Sequence, residues 1–436
     1  MKRLNYPQDK KHIDFLLSPK RLSGIFFDEM TEKVTEICRQ VFTQGIKAVL
    51  DYTKAFDGAI LDKENVIVKK EEIKTAYQAV DKDFIRSLKM AAENIKRFHL
   101  RQRVRKKDWY KRKKGILLGE KYTPLERIGI YIPGGRAPLF SSVLMLAIPA
   151  RLARVREVLM VTPPRRDGSV EPHLLVAADL TGVAGVYKMG GAQAIAALAR
   201  GTEVNRAVDK IVGPGNIYVT IAKRLVSRFV GIDFEAGPSE VIIVAEEGSE
   251  AAFIAADLLS QAEHDPLASC LFVTDSPGLI EAVEKEITRQ LKDLSSKEVI
   301  GKALENDSSG IILVNNIREA IELVNRKAPE HLELFLKDTK KWLKRIKNAG
   351  TIFLGSYSPT ALGDYWAGPN HVLPTGGTAR FSSPFSVDQF LKKSNVISYN
   401  RERLEKDSPE ILRLIKAEGL DAHHASVEIR VKGSVK

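Results

Sequence analysis

Apolar residues recur at helical spacing through Val34-Thr35-Glu36-Ile37 and Phe84-Ile85-Arg86-Ser87-Leu88. That is the period of a helix with one buried face, so residues 26–105 are predicted to be mostly helical. The pattern breaks at the turn-rich Tyr131-Ile132-Pro133-Gly134-Gly135. Beyond it, short apolar runs alternate with helical segments. Val158-Leu159-Met160-Val161-Thr162 reads as a buried strand ended by Pro163-Pro164. Val186-Tyr187-Lys188-Met189 precedes Gly190-Gly191 and an alanine-rich helix, and Lys210-Ile211-Val212 precedes Gly213-Pro214-Gly215 and a helix from Asn216.

A second alternating run follows. Strands over 240–244, 271–273 and 311–314 lead into helices over 253–262, 279–291 and 317–324. Two such runs predict an α/β protein of two domains with largely parallel sheets, changing over near residues 234–239. From about Phe385 the chain reads as helical, with residues 425–431 as a closing strand.

Composition narrows the class. A chain of 436 residues, 44% hydrophobic and 28% charged, has the make-up of a soluble globular protein large enough for two or more domains. No apolar run reaches membrane-spanning length, and the first residues lack the apolar stretch of a signal peptide, so a cytoplasmic protein is expected. Cys38 and Cys270 lie far apart and outside any CxxC, which predicts small buried thiols rather than a disulfide. The net charge of +13 concentrates in residues 96–114, where Trp109 and Tyr110 interrupt the cations Arg101, Arg103, Arg105, Lys106, Lys107 and Lys111 to Lys114. Cations with aromatics can bind nucleic acid. No RNA- or DNA-binding motif accompanies the run, so a solvated helix face and loop is expected, with no nucleic-acid partner.

Candidate chemistry lies in the second half. Four of the chain's eight histidines sit in polar clusters beside turn-forming residues: Gln261-Ala262-Glu263-His264, Ala328-Pro329-Glu330-His331, Asp364 to His371, and Glu418 to His423. Gln261 and His264, three apart at a helix end, share a face and carry donors suited to a divalent metal. Glu330 and His331, at a helix-to-strand turn, are two proton acceptors able to serve one substrate, although the dipeptide by itself equally describes, and more often is, a solvated loop pair. Asp364, Asn370 and His371 lie in a long loop rich in glycine and proline, a functional composition. The turns at Gly134-Gly135, Gly190-Gly191 and Gly213-Pro214-Gly215-Asn216 could approach a cofactor, but none is GxGxxG or a Walker A loop.

Together these segments resemble the histidinol dehydrogenase family. The likeness runs from about Glu126 to Val427 through Ile130-Tyr131-Ile132-Pro133-Gly134-Gly135, Ser141-Ser142-Val143-Leu144-Met145, Gly190-Gly191-Ala192-Gln193-Ala194-Ile195, Gly213-Pro214-Gly215-Asn216, Ala236-Gly237-Pro238-Ser239-Glu240 and the four clusters. Arg97-Phe98-His99 also fits. The chain departs from the family pattern at Arg136, Pro138-Leu139-Phe140, Leu146 and Phe234-Glu235, none of them a site residue.

The resemblance implies zinc- and NAD-dependent, four-electron oxidation of L-histidinol to L-histidine through bound L-histidinal. It implies zinc ligands Gln261, His264, Asp364 and His423, and catalytic Glu330 and His331. Substrate would be bound by Ser239, His371 and Glu418 together with His331 and the metal ligands, and NAD by Tyr131, Gln193 and Asn216. Glu418 and His371 suit a cationic amine and an imidazole, favouring histidinol over another small alcohol such as a sulfonated diol. The implied fold has two incomplete Rossmann-like domains. A first domain would comprise 26–130 with 237–384 and a second 131–236, with an N-terminal arm over 1–25. The implied homodimer has a tail, 385–436, completing the partner's active site.

Overall fold

The computed structural model describes residues 1–18, 24–134, 138–234 and 237–432. Gly135, Arg136, Glu235 and Ala236 of the motifs above lie outside the described residues. In chain order the strands begin β1 (Arg3–Asn5), β2 (Trp109–Lys113), β3 (Ile116–Pro124), β4 (Arg127–Tyr131), β5 (Glu157–Thr162), β6 (Gly185–Lys188) and β7 (Lys210–Val212). They continue with β8 (Gly231–Ile232), β9 (Glu240–Ala245), β10 (Ser269–Thr274), β11 (Gly310–Leu313), β12 (His331–Phe335), β13 (Thr351–Leu354) and β14 (Leu391–Tyr399).

They form three sheets. A five-stranded parallel sheet has the order β6-β5-β4-β7-β8, and a six-stranded parallel sheet the order β1-β11-β10-β9-β12-β13. The two alternating runs read from the sequence thus become two parallel sheets, and the N-terminal region is helical through Gly24–Gln44, Ile46–Asp57, Lys70–Ala79 and Lys82–Arg103. Parallel strands are covered on both faces and read as unbroken apolar runs. Every residue of β9 and β12 is buried accordingly.

Side chains alternate along a strand. Leu332 and Leu334 of β12 join the core beneath the Ile317–Lys327 helix. Phe335 joins the opposite core, with Val241 and Ile243 of β9 and Ile254, Leu258 and Ala262 of the Ala251–Ala262 helix. His331 and Glu333 share the Phe335 face by the same alternation. In the five-stranded sheet the Phe140–Leu152 helix is buried from Ser141 to Ala150. A helix enclosed all round carries no polar stripe, so its apolar run looks like a strand-poor core segment in sequence.

Three expectations are corrected. Residues 425–431 are not a strand but part of the Asp421–Lys432 helix. The β-branched Val427, Ile429 and Val431 alternate as in a strand, yet no neighbouring strand meets them, and Asp421 at the start with Arg430 and Lys432 at the end suit the helix dipole. The region after Phe385 opens with β14 before its helix, Arg401–Glu418. Finally, the basic run is only partly helix and loop: residues 109–113 form β2, the edge of an antiparallel β14-β3-β2 sheet. Both strand assignments rest on distant pairing, invisible in a local pattern. The turn Lys114-Gly115 between β2 and β3 has positive φ at both residues, a two-residue hairpin geometry. Both cysteines are free and buried, and burial pushes their thiols up to about 11 for Cys38 and about 12 for Cys270.

One buried ion pair shapes the end of β7. Gly213 has φ +119°, and a Cβ there would sit 2.2 Å from the Tyr131 carbonyl oxygen. Asp233 accepts the Gly213 N–H at 2.7 Å, and the Lys223 ammonium donates to the Gly213 carbonyl at 3.0 Å while pairing with Asp233. Both side chains are shielded from solvent. Lys223→Met would leave the Asp233 charge buried and unpaired, which costs about 3–5 kcal/mol. A lower urea midpoint is the expected result; an unchanged midpoint would remove this clamp from the account of stability.

Candidate active site

The order of the five-stranded sheet reverses direction between β4 and β7. Ligands of open parallel sheets bind beyond the carboxyl ends of the strands at such a point. Tyr131 ends β4, Gly190-Gly191 follows β6, and Gly213 follows β7. The Tyr131 hydroxyl accepts the Gly191 N–H at 3.1 Å, holding the start of the Gly191–Arg200 helix, and burial pushes this phenol up to about 12. Gln193, in the first turn of that helix, is buried, and its Oε1 has no partner. Asn216 caps the Ile217–Val226 helix by accepting the Val219 N–H at 3.2 Å. Two helix N-termini and an unpaired buried amide oxygen therefore converge on the edge where phosphates and polar groups of a cofactor are accommodated.

The six-stranded sheet contributes its opposite, amino-terminal edge. Ala328, at φ 54°, turns the chain out of the Ile317–Lys327 helix, and Pro329 then leads it into β12. This turn delivers Glu330 and His331 to the first residue of β9. The Glu240 N–H donates to Glu330 Oε2 at 2.8 Å, and His331 Nδ1 donates to the Glu240 carbonyl at 3.2 Å. One peptide residue thus grips both side chains. A proton on Nδ1 assigns the tautomer and leaves His331 Nε2 as the free acceptor. The Glu240 carboxylate is itself fixed, by the buried Lys327 ammonium at 3.3 Å and the Gly376 N–H at 3.2 Å. Gly350 must be glycine for this approach, since a Cβ there would lie 2.5 Å from the Glu330 carbonyl oxygen.

The electrostatics follow from burial. Burial raises Glu330 well above the usual carboxylate range, aided by the nearby charges of Glu240 and Asp364 and opposed by the Glu240 N–H. Burial lowers His331 to about 4, although Asp364 and the Glu240 carbonyl favour its charged form. His331 is therefore a neutral imidazole at neutral pH.

Asp364 and His371 complete this neighbourhood. Asp364 is not in open loop but on a short helix, Thr360–Tyr365, and only the stretch after it is irregular. His371 Nδ1 donates to the Asp364 carbonyl at 3.1 Å, and its Nε2 meets the Ser142 hydroxyl at 3.3 Å. Burial lowers the His371 pKa. Asn370 anchors the loop, donating to the Met145 carbonyl at 2.6 Å and lying 3.3 Å from Nε2 of the buried His99. Gln261 is buried at the end of its helix with Nε2 unpaired, and His264 is exposed just beyond it. The His264 charge acts on both His331 and His371, as does that of Asp364. Ser239, half-buried, immediately precedes β9.

Glu418 and His423 lie apart. Both are exposed on the C-terminal helices. Among the described residues of one chain, no three His, Cys, Asp or Glu side chains are grouped closely enough to hold a metal ion. The donor types at Gln261, His264 and Asp364, an amide, an imidazole and a carboxylate, are nevertheless ones a divalent cation accepts. Sequence reading missed the roles of Glu240, Ser142 and Lys327. The first two lie inside runs already singled out, Ala236–Glu240 and Ser141-Ser142, whereas a lysine in a helix carries no signal of an inward ion pair.

Comparison with known proteins bears on this site. The family model "Histidinol dehydrogenase" matches residues 23–431. A histidinol dehydrogenase of Clostridium acetobutylicum is 51% identical over 418 residues, 96% of each chain. One from Bacillus subtilis is 49% identical over 414 residues, 95% of this chain and 96% of the relative. The crystal structure of histidinol dehydrogenase from Elizabethkingia anophelis superposes with a TM-score of 0.92 at 37% identity, over 99% of this chain and 98% of that one. A match spanning nearly the whole chain leads to one assignment: the chain belongs to the histidinol dehydrogenase family of oxidoreductases.

Proposed function

We propose that this enzyme oxidises L-histidinol through L-histidinal to L-histidine, the end of histidine biosynthesis, using zinc and NAD in the cytoplasm. The observation that carries the reading is the double grip of Glu240. It supplies, side by side, a neutral imidazole acceptor and a buried carboxyl group, as two successive oxidations require.

Gln261, His264 and Asp364 would hold zinc together with the partner subunit's His423. Tyr131, Gln193 and Asn216 would line the NAD site, and Ser239, His371 and Glu418 would contact substrate. When bound, NAD accepts hydride and zinc orients the amino alcohol as a Lewis acid. His331 Nε2 takes the hydroxyl proton in the alcohol oxidation. Glu330 takes a proton from the water that adds to the aldehyde, its raised pKa making it a stronger base than a solvated carboxylate. Ser142 and the Asp364 carbonyl hold His371 from both ring nitrogens, fixing the orientation of the ring.

The tail supports a homodimer with shared sites. The helix bearing His423 has no buried residue, and Leu414, Leu420 and Ile429 are exposed, leaving apolar surface for a partner to cover. The domains then read as an arm over 1–25, a first unit of 26–130 with 237–384, a second of 131–236, and a tail of 385–436.

Three results are expected. His331→Asn should slow histidinol oxidation, and Glu330→Gln should slow histidinal oxidation more, each by about 10²–10⁴-fold. Assays with each substrate separately decide this; equal losses on both substrates in both variants would contradict the division. His264→Ala should lose bound zinc by elemental analysis, and full zinc content would dismiss that ligand. Mixing His264→Ala with His423→Ala chains should restore roughly a quarter of wild-type activity after subunit exchange, since a swapped dimer holds one intact site and random mixing makes about half the dimers mixed. Verified exchange without recovery would place His423 in its own subunit's site.

A further inference from the structure

Two acidic side chains outside the site described so far are buried against each other. Glu333 of β12 and Asp257 of the Ala251–Ala262 helix are both buried, and their carboxyl groups are in hydrogen-bond contact. Glu333 Oε1 also accepts the Thr360 N–H at 3.1 Å. Its Oε2 finds no nitrogen or hydroxyl donor.

Each of these three residues lies close to a site residue on its own element. Asp257 is one helical turn before Gln261, Glu333 is the next residue after His331 on the same face of β12, and Thr360 is one turn before Asp364. We propose that Asp257 and Glu333 are positioning residues: joined carboxyl to carboxyl, they lock the helix of Gln261, the strand of His331 and the short helix of Asp364 into one register. The proposal rests on the active-site reading above.

Such a contact requires one proton, because two carboxylates cannot hydrogen-bond to each other. Burial and the Asp257 charge raise Glu333 well above the usual carboxylate range, so Glu333 carries the proton and donates it to Asp257. Asp257 is raised by burial and held back by that donated bond. Among the described residues, no nitrogen or hydroxyl donor pairs with Glu333 Oε2. The strands flanking Glu333 present Ile243 and Phe353 in register, its own strand presents His331 and Phe335, and the short helix presents the Thr360 amide. A Gln at 333 would reproduce both bonds without titrating: its amide N–H₂ donates to Asp257 and its oxygen accepts from Thr360. A Met would fill the space and make neither bond.

The test uses the full-length protein. Hydrogen exchange over residues 355–366 is followed by mass spectrometry in the wild type, Glu333→Gln and Glu333→Met. Turnover of L-histidinol and the thermal midpoint are measured across pH. Glu333→Met should exchange faster in that segment and lose about 10- to 100-fold in kcat/KM through misplacement of the site. Glu333→Gln should keep wild-type protection and turnover at pH 7. A carboxyl raised in the folded state stabilises fully below its unfolded value near 4.5 and loses that contribution as pH rises through its folded value. The midpoint should therefore fall less steeply with rising pH in Glu333→Gln than in the wild type. Equal damage from Gln and Met, or wild-type protection in Met, overturns the proposal. Where Met does not fold, Glu333→Gln decides: a flatter pH profile supports the shared proton, and an unchanged one refutes it. If the wild type fails to turn over L-histidinol, the proposed function falls, while the exchange and thermal results still judge the clamp.

Discussion

The site depends on how the first residue of a buried parallel strand satisfies its backbone. At the amino end of β9 the Glu240 N–H and carbonyl would both need partners, since buried peptide groups are almost never left unpaired. Glu330 and His331 are those partners. The two side chains cannot drift without orphaning the strand end, and the strand end cannot fray without releasing them. The Glu240 carboxylate extends the constraint to Lys327, whose ammonium also donates to the Leu16 carbonyl at 3.2 Å. A segment near the N-terminus is thereby tied, through one lysine, to the residue whose carbonyl holds the His331 imidazole.

The two parallel sheets offer opposite edges to the same region. The five-stranded sheet uses its carboxyl edge, where helix N-termini and glycine turns favour an anion. The six-stranded sheet uses its amino edge, where turns out of helices present side chains instead of amides. The contact between Ser142, on the Phe140–Leu152 helix of the five-stranded sheet, and His371 joins the two. This division explains why backbone dominates one half of the site and titratable side chains the other.

Much of this was legible in the sequence because parallel strands and their helices are local patterns. Runs such as 240–244 and 158–162 are apolar for the reason that both faces are covered, and Asn216 stands before a helix for the reason that it caps it. What escaped was set by distance. The strand β14 exists because it pairs along β3, some 270 residues earlier in its register Asn395↔Glu120. The exposed Val427, Ile429 and Val431 imitate a strand until their helical neighbours are seen. At the site, the titratable clusters were visible as residue types, while the Glu240 grip was not. A backbone hydrogen bond leaves no trace in the identity of the residue that makes it.

The strand β1 has a further consequence. Its Arg3 lies beside Ile311 at the margin of the six-stranded sheet. As the polypeptide is made, this strand emerges well before its neighbour β11, which lies beyond all five strands of the other parallel sheet. The five-stranded sheet, whose strands span residues 127–232, can close in the meantime. Assembly of the nascent chain is therefore out of step with its order of synthesis: β1 must wait, unpaired, until β11 has been made.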